Sequence, residues 1–452
     1  MKKLLLLIPI FLTFNTLMSQ VFWESKALTL PVGRRVRSIS YVDANTVWVH
    51  LGYNGLLPDG TPEVQEWARS ADGGNTWVSG SINIGNIFLG IGNIHAQSAT
   101  VAYITAYDRK SGPNGGVWKT IDGGLTWTKQ VTALYNSSSS FPNFVHFWDV
   151  NNGFTMGDPA GGYYEVYTTS NGGVNWSRVP SSNLPLPENA DDYGIVDRFV
   201  VQGDTVWFST TGGRLIKSVN KGLTWIALDT PVTTFNSETV GSAEFDFEDA
   251  NNGIIVSSDF SFYNTTDGGL TWNVLPSLGT LRSANICHVP GATGTYITNG
   301  DDYDTDKPGS SYTIDGGLNW IDINPLGDIY AVLPDRCEFF NTSFGLNGGI
   351  GLDATTGGIF KYVGSFFLSN AQFSSDKLFT LSPNPTSGKM TLSGANINQV
   401  QVIDILGKVV FNNSYSSIAE VTVDLSNVNS GIYLVKVTND LGNTSVLKAI
   451  KQ

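Results

Sequence analysis

The chain reads as an all-β protein, a seven-bladed β-propeller followed by a small C-terminal β-sandwich. Three observations lead there: an eight-residue motif at a fixed spacing, short strands punctuated by Asn-Gly and Gly-Gly turns between its copies, and a change of rhythm from Leu378 onward. The motif occurs as SADGGNTW (Ser70 to Trp77), TIDGGLTW (Thr120 to Trp127), TSNGGVNW (Thr169 to Trp176), SVNKGLTW (Ser218 to Trp225), TTDGGLTW (Thr265 to Trp272) and TIDGGLNW (Thr313 to Trp320). Its tryptophans step by 50, 49, 49, 47 and 48 residues. A period of that size means stacked supersecondary units, and units of 40 to 50 residues with about four strands each match propeller blades.

The motif has a mechanical explanation. Its third residue (Asp72, Asp122, Asn171, Asn220, Asp267, Asp315) can accept backbone N–H bonds in a tight turn, and the Gly supplies a positive φ. Its last residue (Trp77, Trp127, Trp176, Trp225, Trp272, Trp320) offers a large face to bury against a neighbouring sheet. All three tasks are structural, and Asn replaces Asp twice without breaking the pattern. These carboxylates are therefore not where catalysis is expected.

Between motifs the text reads as strands. After Trp127 come NFVHFWDV, the Asn151-Asn152-Gly153 turn, FTMG, a Gly-rich loop and YEVYTT; after Trp225 comes SAEFDFEDANNGIIVSSDFSFYNTTDGG. Short strands with Asn-Gly punctuation and no helical period predict antiparallel sheet. After Trp320 three strand-like segments follow without a motif, while Val21 to Leu28 resembles the strand that follows a motif, with Trp23 in the Trp slot. An N-terminal strand that completes the last sheet pairs an edge that otherwise invites aggregation. Six motif-bearing blades and one composite blade make seven.

The ends carry the address. Met1 to Ser19 has the Lys2-Lys3 start, the short apolar run and the polar exit of a secretory signal peptide. The propeller is expected over 20–363, a linker over 364–377 and the second module over 378–452. No later stretch is long and apolar enough to span a bilayer, so no transmembrane span is expected in the mature chain. With 26 Lys and Arg against 39 Asp and Glu, for a formal net charge of −13, nucleic acid is not an expected partner.

Only two cysteines occur, Cys287 and Cys337, one repeat apart. Equivalent strands of adjacent units permit a disulfide in an exported chain, but the strict Cα reach of that bond favours two buried free thiols acting as small apolar residues.

Chemistry is sought at the propeller axis, where inner strands converge. Aligning blades on their NNG-type turns puts His146, Asp246 and Glu338 in one register, each flanked by apolar residues, so that period-2 alternation aims all three the same way. His288 lies one register step away, and His95 is a further candidate. Carboxylates and imidazole near an axis suit a cation, sugar hydroxyls or acid-base work; polar channel lining solvated by water is the simpler reading. Asp302, Asp304 and Asp306 in NGDDYDTDKPG are a weak Ca²⁺ candidate, but the loop lacks the Gly and distal Glu of an EF-hand and reads better as solvated acid. No Cys/His metal spacing, Gly-x-Ser-x-Gly elbow, P-loop or dinucleotide fingerprint occurs, so no cofactor is expected.

The eight-residue motif resembles the Asp-box, or BNR repeat, of sialidases, sortilin-type receptors, xyloglucanases and photosystem II assembly-factor propellers. Blade number and NNG turns look most like the assembly-factor type. Sialidases add an Arg-Ile-Pro element that is missing here despite Arg34, Arg35 and Arg37, so sialidase activity is not assigned. The last module is similar to the C-terminal sorting domain of the Bacteroidetes type IX secretion system. Leu381-Ser382-Pro383-Asn384-Pro385, the Val402 to Lys408 segment ending in Gly407-Lys408, and Ser430-Gly431-Ile432-Tyr433-Leu434-Val435 carry that resemblance, with Lys448 and Lys451 at the basic end. It implies passage through the periplasm, recognition by the type IX machinery, and release or surface attachment of the cargo. The expected function is an exported or cell-surface propeller binding a glycan or protein, more simply a non-enzyme. The alternatives are a glycoside hydrolase of the Asp-box propeller type and an envelope assembly factor.

Overall fold

A computed structural model of the chain describes residues 22–28, 33–53, 57–58, 60–236, 242–300, 309–323, 336–351, 357–364, 379–404, 408–440 and 444–452. The expected signal peptide, the acidic loop with Asp302, Asp304 and Asp306, residues 365–377 of the expected linker, and Gly407 lie outside them. The chain divides into two compact units, Met1–Phe367 and Leu368–Gln452.

The first unit is a ring of seven antiparallel blades, counted among the described residues. Their innermost strands are Arg34–Tyr41, Leu89–Ala96, Pro142–Phe147, Gly194–Gln202, Ala243–Phe247, Asn285–His288 and Arg336–Asn341. Each contacts the innermost strand of the next blade, and the seventh contacts the first. The first and seventh blades are also bridged at Arg35 and Ile350. The seventh blade is composite, as the sequence predicts: Trp23–Ala27 pairs antiparallel with Gly357–Tyr362, running from Trp23 opposite Tyr362 to Ala27 opposite Gly358.

The motif forms the turn between the third and fourth strands of the six blades that carry it, and its hydrogen bonds repeat. In the second blade Thr120 Oγ1 donates to Asp122 Oδ1 at 2.8 Å and accepts Gly124 N at 2.9 Å, while Asp122 accepts Thr126 N at 2.9 Å and Thr126 Oγ1 at 2.6 Å. Asn220 keeps the acceptor half of this role at Thr224 N, and its Nδ2 donates to Thr224 Oγ1 at 2.9 Å. The fifth residue of all six motifs has a positive φ and is Gly, and the fourth is also left-handed, even as Lys221 at φ 56°.

The tryptophan explains why blades hold together. Each sits in a core shared with the preceding blade: Trp225 packs on Phe208 of its own blade and Phe154 of the third, and Trp127 joins Trp48 and Trp67 of the first. Five motif indoles are buried; Trp272 is only partly so. Trp23 closes the set among Cys287, Phe339 and Tyr362. The motif backbone is gripped across the same seam, where Gly172 O accepts Tyr103 Oη at 2.9 Å and Lys119 Nζ at 3.0 Å from the second blade. Gly268 O accepts Trp207 Nε1 and Lys217 Nζ from the fourth in the same way, both at 3.0 Å.

Cys287 and Cys337 are joined in a disulfide between the innermost strands of the sixth and seventh blades, which corrects the expectation of free thiols. Adjacent inner strands bring their Cα atoms to 5.9 Å, within the reach of the bond. A 50-residue separation on the chain says nothing of that distance.

The second unit is a five-stranded antiparallel sheet around one apolar core that includes Met390, Leu392, Val400, Val402, Val421, Val423, Val435 and Val437. Strand Lys389–Asp404 pairs along one edge with Val409–Asp424; its other edge pairs first with Phe379–Ser382 and then with Gly431–Asn439.

Candidate functional site

A cavity of about 430 Å³ lies among the inner strands, and each of the seven supplies part of its wall. His146, Asp246 and Glu338 all line it, as do His95 and His288. Alternation places them there: Glu244 and Asp246, and likewise Arg336 and Glu338, sit two residues apart on one face of a strand.

The wall is charged. Arg336 Nη2 lies 3.2 Å from Glu338 and 3.7 Å from Asp197, and Arg198 Nη2 lies 3.0 Å from Glu244. Burial, together with the neighbouring charge of Glu338, pushes the Asp246 carboxyl up to about 7. Burial also raises Asp197 and Glu338, against the opposing pull of Arg336. It lowers His95 to about 4 and His288 to about 4, and drives His146 well below the ordinary imidazole range with help from the ring of His95, whose centroid is 4.7 Å away. At neutral pH the three imidazoles are thus uncharged, and the acids outnumber the guanidinium groups.

Several wall residues also stitch blades together. Asp246 Oδ2 accepts His288 N of the sixth blade at 2.6 Å, while Oδ1 accepts Phe247 N at 2.7 Å. Asn93 of the second blade bonds both Val145 N and Val145 O of the third, and Ser40 of the first accepts Ala96 N of the second. Asp246 therefore has a structural task alongside any chemical one.

Sequence reasoning missed Asp197, Arg198, Glu244 and Arg336. The fourth blade turns through Gln202-Gly203-Asp204 rather than NNG, so alignment on NNG turns could not place Asp197 and Arg198. The signal was the charged pair inside the apolar run IVDRFVV. Glu244 and Arg336 were legible as period-2 neighbours of residues already chosen.

In the second unit the expected sorting residues make local bonds. Asn384 Nδ2 donates to Lys448 O at 2.6 Å and its Oδ1 accepts Ile450 N at 2.9 Å, tying the exposed Pro383-Asn384-Pro385 turn to the last strand. Tyr433, buried beside Gly431, donates to Asn429 O at 2.7 Å, and Lys408 N donates to Asp404 Oδ1 at 2.9 Å.

Residues 380–452 match the family described as the secretion system C-terminal sorting domain. This unit is a type IX sorting domain. A chain with this sorting domain is exported, to the cell surface or into the medium. No helix among the described residues is long and apolar enough to cross a membrane. No curated protein matches the chain. Among solved structures it is similar to YCF48 from Cyanidioschyzon merolae, at 15% identity and a TM-score of 0.54 over 76% of this chain and 99% of that one. It is also similar to a structure titled YCF48 bound to D1 peptide, at 15% identity and a TM-score of 0.51 over 75% of this chain and 96% of the other. That likeness is one of fold.

Proposed function

We propose that the chain is an exported or cell-surface protein whose propeller binds a glycan or protein partner through its axial cavity, after delivery by the type IX machinery acting on the sorting domain. The observation that carries this reading is the convergence of polar side chains from all seven inner strands on one cavity of about 430 Å³, within the range of ligand pockets. The motif at the rim is of the Asp-box type, serving the blades. The YCF48 likeness, one structure of which is titled as bound to a peptide, makes a protein partner a natural comparison but supplies no contact.

A glycan array and a peptide library, both probed with the mature full-length chain, test the binding reading. Retention of a discrete ligand set is expected, and silence in both screens would remove the reading. Deleting residues 380–452 is expected to leave the propeller in the periplasm; fractionation that finds the truncated protein in the medium at wild-type levels would refute the export route.

One observation favours a glycoside hydrolase as a second reading: a carboxyl at about 7 beside another acid has the form of an acid-base pair. Both oxygens of Asp246 already accept backbone N–H groups, however, which fits a stitch better than a proton donor. Release of reducing sugar from polysaccharides by the wild type, abolished in Asp246→Asn, would reverse that preference.

A further inference from the structure

Three residues on the wall of the axial cavity each carry at least one buried polar atom without a hydrogen-bond partner. Asp197 is 6% exposed, and its Oδ2 has no donor, Arg336 Nη2 being 3.7 Å away. Both ring nitrogens of His288, which is 8% exposed, are without partners, as is Nε of Arg336. Buried polar atoms are nearly always satisfied, and these four border one open cavity, where a ligand can complete them.

Asp197 is brought there by a local departure from strand geometry. The pairing register of its strand jumps between Gly194 and Phe199, and Asp197 takes φ 54°, a left-handed conformation for a residue with a Cβ. Bulges of this kind re-aim a side chain next to functional sites, and such backbone persists where its surroundings impose it.

The charge of the wall selects the ligand. Asp197, Glu244, Asp246 and Glu338 face Arg198 and Arg336, and both arginines are already engaged, by Glu244 at 3.0 Å and by Glu338 at 3.2 Å. Tyr41, Phe199 and Phe340, each half-buried, line the same space, and aromatic faces attract organic cations. Among the described residues no group of three or more His, Cys, Asp or Glu is placed to hold a metal ion. A cation with an apolar stem fits this lining.

We propose that the axial cavity is a recognition site for an alkylammonium or guanidinium group, seated against Asp197 and Glu338 with its stem on the aromatic wall. The inference rests on the reading of the cavity as a binding site and names the chemistry it selects. The group comes from a lysine or arginine side chain of a partner or from a free polyamine.

The test is calorimetric titration of the full chain with three probes: an acetylated and amidated Gly-Arg-Gly peptide, spermidine, and the neutral trisaccharide of N-acetylglucosamine. Binding of the peptide identifies a side-chain source and binding of spermidine alone a free amine; either supports the proposal, provided that Glu338→Gln weakens it about tenfold or more, Glu338→Asp retains most of the affinity, and added salt weakens it. Asp191→Asn, outside the cavity wall, serves as the unaffected control. Urea midpoints establish that each variant is folded, and Asp197→Asn repeats the measurement if Glu338→Gln is not. Cation binding unchanged in both variants, or no cation binding at all, would overturn the proposal. Binding of the trisaccharide alone would overturn it too, while leaving the cavity a binding site.

Discussion

The carboxylates of the rim and those of the axis are the same chemical group under opposite physics. At the rim Asp122 is held at about 2, first by the hydroxyl of Thr126 and then by its backbone N–H, and Asp72 and Asp267 are held at about 2 by the same pattern. At the axis burial pushes Asp246 up to about 7, with Glu338 adding to the effect. The exposed acids are fully provided with donors and have no reason to react or to bind. Among the enclosed ones, Asp197 keeps an oxygen without a donor and can take one. Repetition in a sequence marks the first kind; what breaks the repetition marks the second.

The largest expected effect is at the rim. Trp225→Ala removes a buried indole that packs across two blades and donates from Nε1 to Gly222 O at 2.9 Å, and is expected to cost about 3–5 kcal/mol in urea unfolding. Ligand affinity at the axis should be unchanged in the folded fraction; a loss of affinity matching the loss of stability would dissolve the distinction between the two regions.

Next comes the axis as a structural element. Replacing both Cys287 and Cys337 by Ser removes the only covalent link between inner strands among the described residues, with an expected loss of about 2–4 kcal/mol. Thiol titration of the unfolded wild type should find no free thiol before reduction, and reactive thiols there would contradict the bond.

The smallest effects separate the regions by sign. Rim acids held at about 2 contribute stability that is complete above the ordinary carboxyl pKa near 4 and is lost as pH falls from there through about 2. Asp246 does the reverse: between about 4 and about 7 the folded state holds a proton that the unfolded chain has released, so its contribution declines as pH rises through that window. Asp158, raised to about 7 by burial near Asn143 and Gly194, adds a decline of the same sign. Melting temperatures against pH should show Asp246→Asn flattening the decline between pH 4 and 7 while leaving the acid limb below pH 4 in place. Asp197 and Glu338 on the same wall are also raised by burial, Arg336 stays charged throughout, and His288, lowered to about 4, acts with the opposite sign; an identical slope in the variant would assign the decline to the other raised acids.

How much of this was legible follows from the range of each interaction. The motif's turn chemistry is local, within eight residues, so its donors, its left-handed glycines and its indole could be read directly. The closing strand was legible because Trp23 keeps the place of a motif tryptophan. Asp197 was not, because its placement depends on a register shift against the neighbouring strand, a pairing the one-dimensional pattern does not encode. The disulfide likewise depends on the separation of strands in adjacent blades. The partly exposed Trp272 shows the same limit from the other side, since a near-identical motif acquires different cover from a different neighbour.

The pairing of Trp23–Ala27 with Gly357–Tyr362 has one more consequence. The clasp is made wholly from chain that precedes the sorting domain, so a peptidase acting between the two units would sever no hydrogen bond of the closure. Cargo of this design can lose its address tag after delivery and still remain a closed ring.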